Sequence, residues 1–242
     1  MTNLLIVDLE TTGLDPKQHR PIELGAVFYS VKYACTIHQL STLFPVDQNP
    51  AQTVNHIPVD ASFAALEQCQ TLLGIFELWV EQADYLVAHN AAFDRQWFGK
   101  TLLPKITKPW LCTYEDFIWP ENARPSNLIT TALNHGIGVN QAHRALSDCQ
   151  LIAALFDRVE YHRSGQLAEL VEQAIARSTE PRVYVIAEVS RADKDLAKQR
   201  GFRWCQYVDK KWAKKMRRSD FEREKAKYPF KVMVQPVTEG SR

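Results

Sequence analysis

The stretch Ile6-Val7-Asp8-Leu9-Glu10-Thr11-Thr12-Gly13 starts as an apolar run and ends in two acids one residue apart. In a strand, side chains alternate faces, so Asp8 and Glu10 point the same way, about 6.6 Å apart along the chain. Two such carboxylates repel each other and resist burial unless something cationic joins them. Two distant segments carry further acids of the same kind: Asp94 in His89-Asn90-Ala91-Ala92-Phe93-Asp94, and Asp148 in His143-Arg144-Ala145-Leu146-Ser147-Asp148. Each has an ordinary reading, since Asn90 suits a helix start and Asp94 or Asp148 could be a solvated helix acid. Gathered at one end of a sheet, however, Asp8, Glu10, Asp94 and Asp148 form a set of hard oxygen donors. Such a set suits Mg²⁺ or Mn²⁺, and two metals about 3.5–4 Å apart can clamp the attacking and leaving oxygens of a phosphodiester. His143 lies five residues before Asp148, about 140° away around an ideal helix, so the two are not a stacked helical pair. His143 is therefore expected on a loop before the helix. An imidazole there could take a proton from water near neutral pH, as a general base.

These residues need a strand and two helix starts to position them. After the first strand, residues 21–31 and 34–44 read as a hairpin joined at Lys32-Tyr33. An apolar face spaced for a helix spans about 62–82, with Phe63, Leu66, Leu72, Leu73, Phe76, Leu78 and Trp79. Tyr85–Ala88 reads as a buried strand, Ala92–Leu103 as a helix ending before Pro104, and Trp110–Cys112 as a short strand. Helices are expected at about 126–135, 144–161 and 166–177. Strands first and helices around them predict an α/β fold. The pattern breaks at about 178–182 and a second cycle begins: a strand at 183–187, a helix at 194–200 stopped by Gly201, a strand at 210–213, a helix at 219–227 and a strand at 230–234.

The 242 residues, 45% hydrophobic, can bury a real core. No apolar run approaches the ~20 residues of a bilayer span and the N-terminus lacks a basic leader, so a cytoplasmic protein without a membrane partner is expected. Five scattered cysteines, with no CxxC pair, signal neither a disulfide framework nor a zinc site. The net charge of +1 conceals two opposite halves: residues 182–242 hold 17 Lys and Arg against 8 Asp and Glu, net +9, and the remainder is net −8. An acidic body beside a basic appendage suits metal binding in one place and an anionic polymer in another.

The three segments, in this order and at this spacing, resemble the motifs of the DnaQ-like, or DEDD, 3′–5′ exonuclease superfamily in its His-bearing DEDDh branch. The resemblance covers residues 1–160 or so, and Pro21-Ile22-Glu23-Leu24-Gly25 and Asn55-His56-Ile57 also look like family segments. It implies a ribonuclease H-like mixed β-sheet flanked by helices over residues 1–178, two divalent ions held by Asp8, Glu10, Asp94 and Asp148, and His143 as general base. It further implies that Thr11 touches the terminal 3′-OH, with Thr12 and Gly13 beside it, that Leu14 wedges against the last base, and that Asn90 and Phe93 line a nucleotide pocket. Glu23 is either a support to the site or a packing residue. Nucleic acid is the implied partner, DNA ahead of RNA, with a DNA polymerase or another protein as a second. The implied activity is release of nucleoside monophosphates from single-stranded or frayed 3′ ends. A 3′–5′ exoribonuclease and a catalytically dead nucleic-acid-binding scaffold are the alternatives.

Residues 182–242 read as a small basic α+β module outside that resemblance. Its cations interleave with aromatics, in Phe202-Arg203-Trp204, Tyr207 and Lys210-Lys211-Trp212. The expectation is that Phe202, Trp204 and Trp212 form the module's core, because a unit this small must bury its large apolar groups, while the cations neutralise phosphates.

Overall fold

The computed structural model describes residues 2–100, 102–122, 125–140, 143–205 and 208–237; Tyr207 and Thr101 lie outside them. The chain divides into two units, residues 1–178 and 179–242. In the first, β1 (Asn3–Thr11), β2 (Pro21–Ser30) and β3 (Cys35–Leu43) form an antiparallel meander, followed by short helices α1 (Gln52–Asn55) and α2 (Val59–Phe63), then α3 (Cys69–Gln82). β4 (Tyr85–Ala88), α4 (Ala91–Arg95), β5 (Trp110–Cys112), α5 (Leu128–Asn134), α6 (Ala145–His162) and α7 (Gln166–Ser178) complete it. The strand order is β3-β2-β1-β4-β5, with β4 parallel to both β1 and β5. This is the expected ribonuclease H-like mixed sheet flanked by helices.

β1 is central and apolar on both faces because helices cover both. Leu4 and Ile6 face a core shared with α6 and α7, while Leu5, Val7 and Leu9 face the opposite core with Phe76 of α3. Asp8 and Glu10 continue the Leu4–Ile6 row, so the acids emerge on the α6 side where the apolar packing stops.

Two expected helices are shorter. The predicted 62–82 helix is two, α2 ending at Phe63 and α3 starting at Cys69: Cys69, Leu73 and Phe76 are buried with Trp79 and Val80 packed half-buried against the same core, whereas Phe63 and Leu66 stay exposed. The predicted 92–103 helix ends at Arg95, and Gly99 (φ +77°) turns the chain back so that Trp97, Phe98 and Leu103 are all buried.

The second unit is a sheet of order β7-β8-β6-β9, built from β6 (Arg182–Ala187), β7 (Arg203–Cys205), β8 (Lys211–Arg217) and β9 (Val232–Pro236), with α8 (Lys194–Gln199) and α9 (Arg218–Glu224). β7 carries no signal in the sequence, and β8 outruns the expected 210–213 because pairing with β6 extends it to Arg217. Phe202 is buried with Val185, Ala197 and Phe221, and Trp212 packs half-buried against them. Trp204 departs from the expectation: it stands 61% exposed, since three-residue β7 gives its outer face nothing to pack on. Among the described residues no helix is long and apolar enough to cross a membrane, and the five cysteines are free.

Candidate active site

The two acid-bearing helices begin alike. Asn90 (φ +65°) precedes α4 and His143 (φ +62°) nearly precedes α6, both in the left-handed region that side chains seldom adopt. Non-glycine residues held there cost energy and concentrate at functional sites. Asn90 does not cap α4 with its side chain; the left-handed turn instead directs the chain so that Asp94 is buried against β1. There the Leu9 amide donates to Asp94 Oδ1 at 3.1 Å, which seats this carboxylate at the backbone between Asp8 and Glu10.

On the α6 side, Glu10, His143 and Asp148 each offer a ligand atom, all within 4.8 Å of one another. His143 is exposed on the loop before α6, as expected, and Glu10 and Asp148 are half-buried. Burial, then the charges of Asp94, Asp148 and Glu10, hold the Asp8 carboxyl well above the ordinary carboxylate range. Burial, then Asp148 and Glu23, push Glu10 up to about 7, against the opposing pull of Arg144. Asp94 is raised by burial in spite of the Leu9 amide, and Asp148 is raised by burial in spite of His143. Of the four acids, Glu10 and Asp148 share that close group with His143, while Asp8 and Asp94 reach it through their charges; carboxylates that resist ionisation together are oxygen donors that fit divalent cations of the Mg²⁺ class.

Sequence reasoning left Glu23 open between a support to the site and a packing residue, and overlooked Arg144. Glu23 is fully buried on β2 and accepts four hydrogen bonds: Arg144 Nε at 3.0 Å and Nη2 at 2.9 Å, the Ala145 amide at 3.1 Å, and Ser41 Oγ at 3.0 Å. It thus pins the first turn of α6 to the sheet across 121 residues of sequence. Beside it, Gly25 leaves no room for a side chain: a Cβ would sit 2.3 Å from the Ala145 carbonyl carbon. Farther along α6, Tyr29 on β2 donates to Asp157 at 2.6 Å. The adjacency of Arg144 to His143 was the one available signal, since the partner strand cannot be read from sequence.

The loop after β1 leaves the sheet through a register shift between Glu10 and Thr11. Thr11 is buried and donates its hydroxyl to the Gly13 carbonyl at 2.7 Å. Thr12, also buried, exchanges backbone and hydroxyl hydrogen bonds with Arg20. Gly13 lies against the His19 ring, and Leu14 projects from the loop, 79% exposed. Asn55, buried and bonded to Asn49 and Ile57, donates to the Thr11 carbonyl at 3.3 Å. Asn90 is exposed and Phe93 half-buried, edge-on to Trp97.

Residues 5–156 match the RNase T exonuclease family, and residues 183–235 match a domain family of unknown function. The DNA polymerase III subunit epsilon of Treponema pallidum (strain Nichols) is 32% identical over 177 residues, which cover 69% of this chain and 80% of that protein. Exodeoxyribonuclease 10 of Escherichia coli (strain K12) is 28% identical over 188 residues, 72% of this chain and 76% of that one. The solved structure of exonuclease X in complex with 5′ overhanging duplex DNA has a TM-score of 0.50 at 23% identity, covering 71% of this chain and 99% of the other. That likeness is one of fold.

Proposed function

The chain belongs to the DnaQ-like family of 3′–5′ exonucleases acting on nucleic acids, and from that premise we propose that residues 1–178 release nucleoside monophosphates from single-stranded or frayed 3′ ends of DNA. The observation that carries this reading is the meeting of Glu10, Asp148 and His143 within 4.8 Å, beside Asp94 on the Leu9 amide. Asp8, Glu10, Asp94 and Asp148 are the groups that would hold two divalent cations, Mg²⁺ or Mn²⁺. Such ions, when bound, stabilise negative charge on the attacking and leaving oxygens and make water acidic enough to attack.

In this reading His143, exposed at the mouth of the cluster, takes the proton of the attacking water on a ring nitrogen. Thr11 meets the terminal 3′-OH, its hydroxyl oxygen retaining acceptor capacity beyond the bond it donates to Gly13. Thr12 and Gly13 hold the loop in the shape that presents Leu14 as a wedge against the last base. Asn90 and Phe93 line the nucleotide pocket. Glu23 and Arg144 act at one remove, by fixing where α6 places His143 and Asp148. Free thiols fit a reducing cytoplasm. The similarity to a polymerase epsilon subunit makes a DNA polymerase the candidate second partner.

The test is digestion of 3′-labelled and 5′-labelled single-stranded DNA and RNA, with Mg²⁺ and with EDTA. The expected result is stepwise shortening from the 3′ end, faster on DNA, that stops in EDTA. Internal cuts, or no cation-dependent cleavage, would contradict the proposal. Faster digestion of RNA would transfer the activity to the ribonuclease alternative.

A further inference from the structure

The second unit contains a cleft of about 720 Å³, wholly within residues 186–233. Its charged rim is cationic, with Arg191, Lys194, Lys210 and Lys211 against one carboxylate, Glu188. Three lysines elsewhere in this unit are matched with acids: Lys198 with Asp195, Lys214 with Glu224, and Lys225 with Glu222. Among the described residues, the four rim cations have no such carboxylate partner. Unmatched like charges around a concave surface repel one another and focus their field on whatever anion enters.

The apolar surface of the cleft is equally unsatisfied. Trp204 lines it while 61% exposed, and Met233 lies beside it, 43% exposed. The Trp204 ring meets Trp212 edge-on, with centroids 5.7 Å apart and planes at 71°. Trp212 in turn rests on the unit's core, with Lys198 Nζ 5.5 Å from its ring centroid. Trp204 is therefore steadied by a half-buried neighbour yet leaves most of its own indole in water. A flat, buttressed aromatic surface among unmatched cations suits a ligand with π-faces and regularly spaced negative charges. A wholly acidic peptide would satisfy the cations and leave the indole wet.

We propose that this cleft binds a short single-stranded segment of nucleic acid, with a base stacked on Trp204 and the flanking phosphates on Arg191, Lys194, Lys210 and Lys211. It is a site apart from the carboxylate cluster and does not depend on the exonuclease reading.

The experiment uses the full-length chain in EDTA, titrated with fluorescein-labelled oligothymidylate over a range of NaCl concentrations. Trp204→Ala is expected to weaken binding roughly 5- to 100-fold, the effect of losing one stacked base, while Trp204→Phe retains most of the affinity. Replacing Lys210 and Lys211 by Gln should reduce the slope of log affinity against log salt by about 1.4, the amount for two phosphate contacts on a single strand. All three variants should melt like wild type and cleave a dinucleotide at the wild-type rate in Mg²⁺. Failure of the exonuclease reading would show as absent dinucleotide cleavage in wild type and leave the binding result standing. Wild-type affinity and salt slope in both Trp204→Ala and the double Gln variant would overturn the proposal. So would equal displacement of oligothymidylate by poly-glutamate of matched charge, which would reassign the cleft to acidic protein.

Discussion

Asp8 and Glu10 lie on one face of β1, and Asp94 is brought to the Leu9 amide between them, so each carboxylate raises the cost of ionising the next. Removing one member has two opposite consequences, loss of a cation ligand and relief of repulsion. Asp8→Ala or Asp148→Ala is expected to abolish cleavage and to raise the melting temperature in EDTA. Turnover within tenfold of wild type would refute the assignment of these acids as cation ligands. His143 is near enough to Glu10 and Asp148 to be a ligand itself, and its two roles separate by experiment. His143→Ala should lower turnover by roughly 10²–10⁴ as a missing general base, while calorimetry still detects Mn²⁺ binding of near wild-type affinity. Loss of that binding would make His143 a ligand.

The elements act mainly through one junction, the seating of α6 on β2. The bidentate Glu23–Arg144 pair, the Ala145 amide and the glycine at position 25 fix the helix start that carries Asp148. Glu23→Ala leaves the Ala145 amide without its acceptor and removes the partner of Arg144, a loss of about 1–3 kcal/mol in unfolding measurements. Arg144→Lys should recover little activity, because an ammonium cannot reproduce the planar fork. Gly25→Ala is the sharper probe. Its Cβ requires α6 to move, and a displacement near 1 Å at catalytic groups costs on the order of 10²-fold in rate. Wild-type turnover in folded Gly25→Ala would show that the close packing has no bearing on the site.

For the whole molecule the cluster links stability to pH. Asp8, Glu10, Asp94 and Asp148 all have folded-state values above their ordinary ones, so each binds its proton more tightly in the folded chain. Their contribution to stability is complete below the ordinary values, 3.8 for Asp and 4.5 for Glu. It is lost as pH rises through the folded ones, about 7 for Glu10. In EDTA, then, the melting-temperature advantage of Asp8→Asn over wild type should grow from pH 5 to pH 8. Mg²⁺ should reverse it at pH 8, because a cation that binds only the folded chain stabilises it by mass action. An advantage that is constant with pH, or that shrinks, would mean the acids do not share one field.

Much of this was legible in the residues. The alternation of Leu4, Ile6, Asp8 and Glu10 put two acids on one face because a strand's period of two is local geometry. The position of His143 before α6, the strands of the meander and the cationic excess of residues 182–242 were likewise local or compositional. The depth at which Asp94 is held, the partner of Glu23 and the exposure of Trp204 were not. Each depends on which distant backbone lies alongside: Leu9 for Asp94, Arg144 and Ala145 for Glu23, and only a three-residue strand for Trp204. Spacing along a chain states which way a side chain points, but burial and charge are settled by the segment that folds against it, and only the tertiary structure chooses that segment.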